Sequence, residues 1–292
     1  MSFTSMDDII SEITNGKFSR QDWNKITGAA AYTAGRWYDF SQLNGYPVAN
    51  AYAGTALAWK TCDASTGNGT QIFGIQHGGT VSTDTQHVMN VAAVTSVATG
   101  VPGVLMLIDM QGYYPGINMN TASAQTLTGT PTLRYANGAG VRAFLTINTS
   151  SGATAHNVAI SYTNQSGTAG RALPVTVACT ASAITPHITH SGTAANNYGP
   201  FLPMASGDTG IQSVQSLTLS AASLAGTASL VLARPLLSLP ISTAGVIAER
   251  DLLNQLPSLP RIYDNACLSL IELPKPATTA TTYSGLITAV AE

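Results

Sequence analysis

Charge is what this sequence lacks most. Asp, Glu, Lys and Arg make up 9% of its 292 residues, against about 25% in an ordinary globular chain. Only Lys17, Lys25, Lys60 and Lys275 represent lysine, and the formal net charge is −2. Nucleic-acid binding draws on clustered Lys and Arg that displace counterions from phosphates. No such cluster is present, which argues against direct contact with a genome. Cysteine is scarce too. Cys62, Cys179 and Cys267 are far apart and odd in number, so they read as small buried thiols and not as a disulfide framework. A G-x-S-x-G nucleophile elbow is missing, and the scattered Asp and Glu form no pair of the kind a glycosidase places across its sugar site. Asp7, Asp8 and Glu12 stand where a secretory signal carries positive charge. The uncharged stretch 217–233 is threaded with Ser, Thr and Gly, too polar for a membrane span. These absences describe a soluble chain, made and kept in the cytosol until it is released.

Gly, Ser, Thr and Ala take the place of the missing charge, and mean hydropathy is slightly positive at +0.16, which argues against disorder. A surface so poor in charge has little electrostatic protection against association and suits a protein that lives in an assembly.

The most apolar run is 104–117, VLMLIDMQGYYPGI, and it is matched without a gap by 230–241, LVLARPLLSLPI. Leu105 matches Leu230, Leu107 matches Leu232, Asp109 stands where Arg234 does, and Pro115 matches Pro240, all at one spacing (230 − 105 = 125). The match extends outward. Gln86, Val88, Val91 and Gly100 correspond to Gln212, Val214, Leu217 and Gly226. Pro131 to Tyr135 resembles Pro257-Ser258-Leu259 with Arg261 and Tyr263, and Tyr46-Pro47-Val48 resembles Leu173-Pro174-Val175. Collinear matches over so long a stretch mark an internal duplication.

Short apolar runs broken by turn residues predict strands at 46–51, 56–62, 71–76, 88–94, 104–109, 141–147, 157–162, 174–179, 213–219, 229–233 and 266–273. Gly67-Asn68-Gly69, Gly78-Gly79 and Asn137-Gly138 supply turns between them. The expected fold is mainly β: two tandem, internally duplicated antiparallel β-sandwich or jelly-roll-like domains, at 35–155 and 156–276. A short helical N-terminal arm, 1–34, precedes them, and 277–292 reads as an extended, loosely held tail. In the arm, Ser5 with Asp8 forms a capping pattern, Met6, Ile9, Ile10 and Ile13 share one helical face, and Gly16 terminates. Ser19 and Asp22 repeat the pattern for a second short helix holding Trp23 and Ile26. A later helix is predicted at 243–253.

Residues that could carry chemistry are few. His77, Asp84 and His87 are a conceivable metal group, yet their spacing fits no compact ligand pattern. His187 and His190 sit among Thr, Pro and Gly, as in a loop. Asp109 ends the core run as a catalytic carboxylate can, but its counterpart is Arg234, which points to a corner polar contact or an ion pair between repeats. No catalytic residue, metal or cofactor is expected. The aromatics Trp37, Tyr38, Phe40, Tyr46, Tyr52 and Trp59, with Tyr113 and Tyr114, suit either a core or an interface, since Trp and Tyr bury large rings while keeping a polar tip. Candidate interface residues are Ile9, Ile13, Phe18, Trp23, Trp37, Tyr38, Tyr113 and Tyr114.

The apolar strand running into Tyr113-Tyr114-Pro115, the block LRYANGAGV at 133–141, and the later ARPL and LPSLPRIYDNA segments together resemble structural proteins of tailed-bacteriophage virions. The likeness covers most of the β region and stops short of the helical N-terminus. It implies a non-enzymatic capsid decoration (cement) protein or accessory head protein, synthesised in the host cytoplasm and carried on the capsid surface of the virion. Its partner would be the major capsid protein, with no direct contact to nucleic acid or membrane. Two repeats per chain also suggest a homotrimer, which would present six similar domains. The alternatives are a major capsid or other head or tail component, although no long spine helix is visible, and a host-glycan adhesin using Trp37 or Tyr113.

Overall fold

The computed structural model describes residues 3–63, 74–78, 85–97, 101–192, 198–255, 259–275 and 277–292. Along the chain lie α1 (Met6–Thr14), β1 (Phe18–Ile26), β2 (Tyr38–Asp39), β3 (Asn44–Tyr46), β4 (Lys60–Thr61), β5 (Gln86–Thr95) and β6 (Gly103–Asn118). Next come β7 (Gln125–Thr126), β8 (Arg142–Thr149), β9 (His156–Asn164), β10 (Arg171–Ala172), β11 (Val177–Cys179) and β12 (Ile211–Leu219). The chain closes with β13 (Thr227–Ile241), β14 (Ala248–Asp251), α2 (Leu252–Gln255), β15 (Arg261–Ile262), β16 (Leu268–Pro274) and β17 (Thr282–Ala291). The fold is mainly β, as its composition and turn spacing predict, with antiparallel ladders in three sheets. These run β14-β5-β17-β1-β3 with β15 against β5, β10-β9-β12-β7 with β11 against β9, and β2-β16-β6-β13-β8 with β4 against β6.

The third sheet organises the other two. Its long strands β6 and β13 are buried on both faces along most of their length, which is why β6 reads as a continuous apolar run and not as an alternation. On one face, Leu105, Leu107, Leu237, Leu239, Leu268 and Leu270 pack against Trp23, Val88, Val91, Tyr283 and Ile287 of the first sheet. Further along the same strands, Tyr114, Ile117, Leu230, Leu232 and Leu145 pack against Val158, Ile160, Val214 and Leu217 of the second. The opposite face, with Ile108, Met110, Tyr113, Phe144 and Val231, is covered by Trp37, Tyr52 and Ile188 from connecting segments. Two β-sandwiches therefore stand side by side on one shared sheet.

This arrangement corrects the expected tandem domains. The matched runs β6 and β13 do not belong to separate bodies; they are hydrogen-bonded neighbours, with Asp109 directly opposite Arg234. Each half of the chain lends its next long strand to the other half: β16 pairs with β6, and β8 pairs with β13. Corresponding pairs recur elsewhere. β9 lies on β12 as β17 lies on β5, and Thr126 faces Ser216 as Asp251 faces Asn90. The pairing map is that of an approximate two-fold through Asp109 and Arg234. One sandwich is built from the stretch between the midpoints of β6 and β13, and the other from the two chain ends. A boundary near residue 155 has no counterpart in this topology.

Three local expectations also change. Phe18–Ile26 is a strand and not a helix, since β1 is held along its whole length by β17. The predicted tail holds β17, an inner strand flanked by β5 and β1. Residues 248–251 of the predicted late helix form β14, and only Leu252–Gln255 is helical. Part of the predicted 71–76 strand, the turn Gly67-Asn68-Gly69 and Gly79 lie outside the described residues. The prolines of β13 are accommodated because β8 pairs with it only as far as Ala233, so Pro235 and Pro240 fall where that side of the strand asks for no ladder hydrogen bond from β8.

At the crossing sits a buried ion pair. Arg134 donates from Nη2 to Asp109 Oδ1 at 2.5 Å and from Nε to Oδ2 at 3.1 Å, with both side chains almost fully buried. Its Nη1 reaches the Cys62 carbonyl at 2.7 Å, and Asp109 Oδ1 also accepts the Cys267 N–H at 3.0 Å. Asp109 is thus paired with an arginine of its own repeat and not with Arg234. The Arg234 guanidinium lies instead 4.1 Å from the centre of the Tyr135 ring, a cation–π contact. Tyr135 meets Tyr263, its repeat counterpart, edge to face at 5.2 Å.

Other ionisable groups are buried as well. Glu272 accepts from the Tyr283 hydroxyl through Oε1, and burial raises its pKa to about 8. Asp39 is also raised by burial while accepting from Ser41 N–H and the Tyr52 hydroxyl. Lys25 donates to the carbonyls of Leu43 and Pro47, and burial lowers its pKa to about 8. His187 and His190 are held neutral by burial, which lowers both to about 3.

Two predictions follow from these buried charges. Arg134→Met should cost about 3–5 kcal/mol in urea unfolding, because it strands a buried carboxylate, and adding Asp109→Asn should recover part of the loss. A cost of R134M below about 1 kcal/mol would remove the pair as a structural element. The second concerns pH. A carboxyl raised in the fold stabilises below its ordinary pKa and loses that stability as pH rises, so Glu272 should weaken the fold from about pH 4.5 to 8. Histidines depressed in the fold stabilise above their ordinary pKa and lose it as pH falls from about 6.5 to 3. Stability should therefore fall above pH 6.5, with Glu272 alone contributing about 2 kcal/mol between there and pH 8 and Asp39, raised by burial as well, acting in the same sense. Thermal melts across pH should show the alkaline decline reduced in Glu272→Gln; an unchanged decline would exonerate Glu272.

Candidate interaction surface

The described histidines that could have carried chemistry are buried or half-buried within the fold. His77 is buried, with Nδ1 2.7 Å from the Gln86 side-chain oxygen and Nε2 3.1 Å from the Ala266 carbonyl. His87 has Nδ1 3.2 Å from the Leu259 carbonyl and its ring against Phe3, while Asp84 lies outside the described residues. His187 contacts the Ser191 carbonyl through Nε2 and packs beside Tyr38; it and His190 occupy a loop, as their neighbours in sequence predict. Among the described residues, no three His, Cys, Asp or Glu side chains are grouped to hold a metal ion. One polar cluster had no signal in the sequence. Asp208 accepts from Arg171 Nε at 2.9 Å, the Tyr162 hydroxyl at 2.6 Å and Asn164 Nδ2 at 2.7 Å. These bonds, that from Arg171 first, hold its pKa down to about 2. Tyr162 and Asn164 come from β9 and Arg171 from the adjacent β10, while Asp208 arrives from the segment before β12, so the cluster is a clamp that closes only when that segment is in place.

The candidate interface residues divide sharply. Trp23, Trp37, Tyr38, Tyr113 and Tyr114 are buried, which corrects their assignment as contact residues. Trp23 faces Gly285 on β17, where a Cβ would fall 2.5 Å from the indole, so the glycine makes room for the ring. Tyr113 packs edge to face on Tyr52, Tyr114 on Trp59, and Tyr38 stacks flat on Tyr32 at 4.0 Å. Their tips are used inside as well: the Tyr38 hydroxyl accepts from Thr33 N–H at 2.7 Å. Ile9 is also buried, leaving Ile13 and Phe18 as the exposed members of the set.

Ile13 belongs to an exposed apolar face of α1. α1 begins at Ser5, whose hydroxyl accepts from Asp8 N–H while the Asp8 carboxylate accepts from Ser5 N–H, the capping box its sequence predicts. Ile9 seats the helix on the body beside β1 and β17, and the rest of the predicted apolar face points outward. Met6 is 50% exposed, Ile10 54%, Ile13 36% and the nearby Phe18 42%. Helices expose an apolar stripe of this kind at partner contacts more often than in free monomers.

Other exposed apolar side chains stand at strand edges and turns: Ile26, Tyr46 and Val48 by β3, Val175 between β10 and β11, and Val246 and Ile247 before β14. A shallow groove of about 480 Å³ is lined by Asn157, Ala159, Leu173, Pro174, Val175 and Thr218. It holds no ionisable group. Among the described residues, no helix is long and apolar enough to cross a membrane.

No protein-family model matches the chain, and no curated protein matches it. Among solved structures, a chain from the structure of infectious bursal disease virus, Gt strain, is similar over 94% of this chain and 80% of its own length, at 10% identity and a TM-score of 0.20. Overlap at that level carries no argument about fold or function.

Proposed function

We propose that this chain is a non-enzymatic structural protein of a virion, a capsid decoration (cement) protein that docks on the shell through α1. The observation that carries the reading is the exposure of Met6, Ile10 and Ile13 along one face of α1, with Phe18 just beyond its end. The likeness of the β segments to tailed-phage virion proteins supports it, as does the low charge, which leaves association unopposed. In this reading the partner is the major capsid protein, which would offer an apolar groove to the helix, and further copies of the chain would assemble as a trimer on the capsid surface. Such a contact adds buried apolar area at junctions between capsomers and depends little on salt.

The competing readings have less support. A glycan adhesin was expected to use Trp37 or Tyr113, and both are buried. A major shell subunit would carry a long spine helix, and the longest helix among the described residues is α1, of nine residues.

Removing the whole predicted arm would not test the docking role, because β1 is part of the first sheet. The informative change is Ile10→Asp with Ile13→Asp, on exposed positions. The double variant should melt like the wild type and bind empty shells of the cognate major capsid protein at least about tenfold more weakly, as expected for losing two buried aliphatic side chains. Unchanged occupancy on shells would sink the docking role of α1. Copy number per particle separates the wider alternatives: hundreds of copies fit shell or cement, a handful a tail or portal component.

A further inference from the structure

Cys62 and Cys267 are remote in sequence, yet the fold brings them to one point. β4 and β16 lie end to end on the same side of β6, the other side being taken by β13. Thr61 is opposite Gly112, and Leu268 is opposite Asp109. The next residue of each strand fills the gap: Cys62 N–H donates to the Gln111 carbonyl at 3.1 Å, and the Cys267 carbonyl accepts from Met110 N–H at 2.9 Å. The two cysteines thus stand beside successive residues of one strand, Gln111 and Met110, so that closing a bond between them asks for little backbone movement. The same ion pair holds both backbones, Arg134 through the Cys62 carbonyl and Asp109 through the Cys267 N–H. Both side chains are buried in one cluster with Met110 and Tyr113, whereas Cys179 belongs to the other sandwich. The neighbouring Cys267 thiol and burial push the Cys62 pKa well up. Both are free thiols in the structure.

We propose that Cys62 and Cys267 are a closable pair, which forms an intramolecular disulfide when the protein meets an oxidant of the glutathione-disulfide type. One cysteine loses its proton, and the thiolate attacks a sulfur of oxidised glutathione, forming a mixed disulfide and expelling one glutathione thiolate. The second cysteine then attacks the protein sulfur of that mixed disulfide and expels the second glutathione. Two protein thiols give up two electrons, one glutathione disulfide becomes two thiols, and the two protons end on them. Burial and the raised thiol pKa make closure slow in the native fold and the closed bond resistant to reduction. In a reducing cytosol the pair stays open, and in an oxidising medium outside the cell it closes. The bond would tie the end of β4 to the start of β16 at the point where the two sandwiches join.

The test is to refold the full chain in oxidised glutathione, alkylate it in denaturant with N-ethylmaleimide, and map the peptides by mass spectrometry without reduction. The expected result is one alkylated cysteine, Cys179, and a cross-linked peptide joining Cys62 to Cys267. The melting temperature should rise by roughly 5 °C or more over the reduced protein. Cys62→Ser and Cys267→Ser should each abolish the cross-link and the rise, and Cys179→Ser should abolish neither. Three alkylated cysteines after oxidative refolding, glutathione retained on Cys62 without a cross-link, a bond to Cys179 or to a second chain, or a rise that persists in C62S would each overturn the proposal.

Discussion

The ladder between β6 and β13 has to serve two cores at once, and most of the architecture answers to that demand. Each strand packs one half against the first sheet and the other half against the second. Neither half can slip, because a one-residue shift would turn every buried side chain to the opposite face. Register shifts between Leu232 and Ala233 and between Pro235 and Leu237 fall beside the Asp109–Arg234 pair, so the ladder bends at the point where its allegiance changes. A bulge adds twist and re-aims side chains, which is what two sandwiches sharing one sheet require.

The buried Asp109–Arg134 pair is understandable at that position. Where the strands change cores, apolar packing is interrupted, and several backbone groups need partners in the gap. Arg134 supplies donors to the carbonyls of Cys62 and Met110, and Asp109 accepts from Cys267 N–H. Such a pair adds less net stability than an apolar replacement could, but it has directionality that leucine lacks. It ties three segments, after β4, before β8 and before β16, to one rung of β6. Cys62 and Cys267 stand beside one rung of β6 because that tie brings their backbones together.

Much of this was legible in the chain. The strand runs, the capped first helix and the match between 104–117 and 230–241 all rest on local patterns that the fold respects. What could not be read was how the halves are joined, since a repeat in sequence says the same of tandem domains and of halves that exchange strands. β1 misled for a definite reason. Its sequence FSRQDWNKI satisfies a helix cap at Ser19 and Asp22, and its inward positions include Lys25, which breaks the apolar alternation of a strand. That lysine is tolerated inside because two carbonyls, those of Leu43 and Pro47, receive its ammonium, and both come from a later segment. β17 was hidden because TYSGLITAVA follows a Pro-rich stretch and its partners, β5 and β1, are supplied from the far end of the chain. The aromatics were ambiguous in principle, as a tyrosine with an internal hydrogen-bond partner and one awaiting an external partner have the same sequence.

The approximate two-fold is broken in ways that bear on assembly. Counterpart positions keep their shape and lose their chemistry: Asp109 answers Arg234, Arg134 binds a carboxylate while Arg261 lies over the Tyr263 ring, and the Tyr46-Pro47 edge answers Leu173-Pro174. The largest break is α1, which rests on the sandwich made from the chain ends and, among the described residues, has no helical counterpart of its length on the other. Two sandwiches of similar frame therefore present only one apolar helix between them. An assembly that read the two-fold frame would bind either sandwich in either orientation, whereas one that reads α1 must take the chain in a single orientation. In the proposed docking role, a stripe on one sandwich of a duplicated body would fix polarity as well as adhesion, and polarity is what a protein must have if one end is to face a shell and the other the solvent.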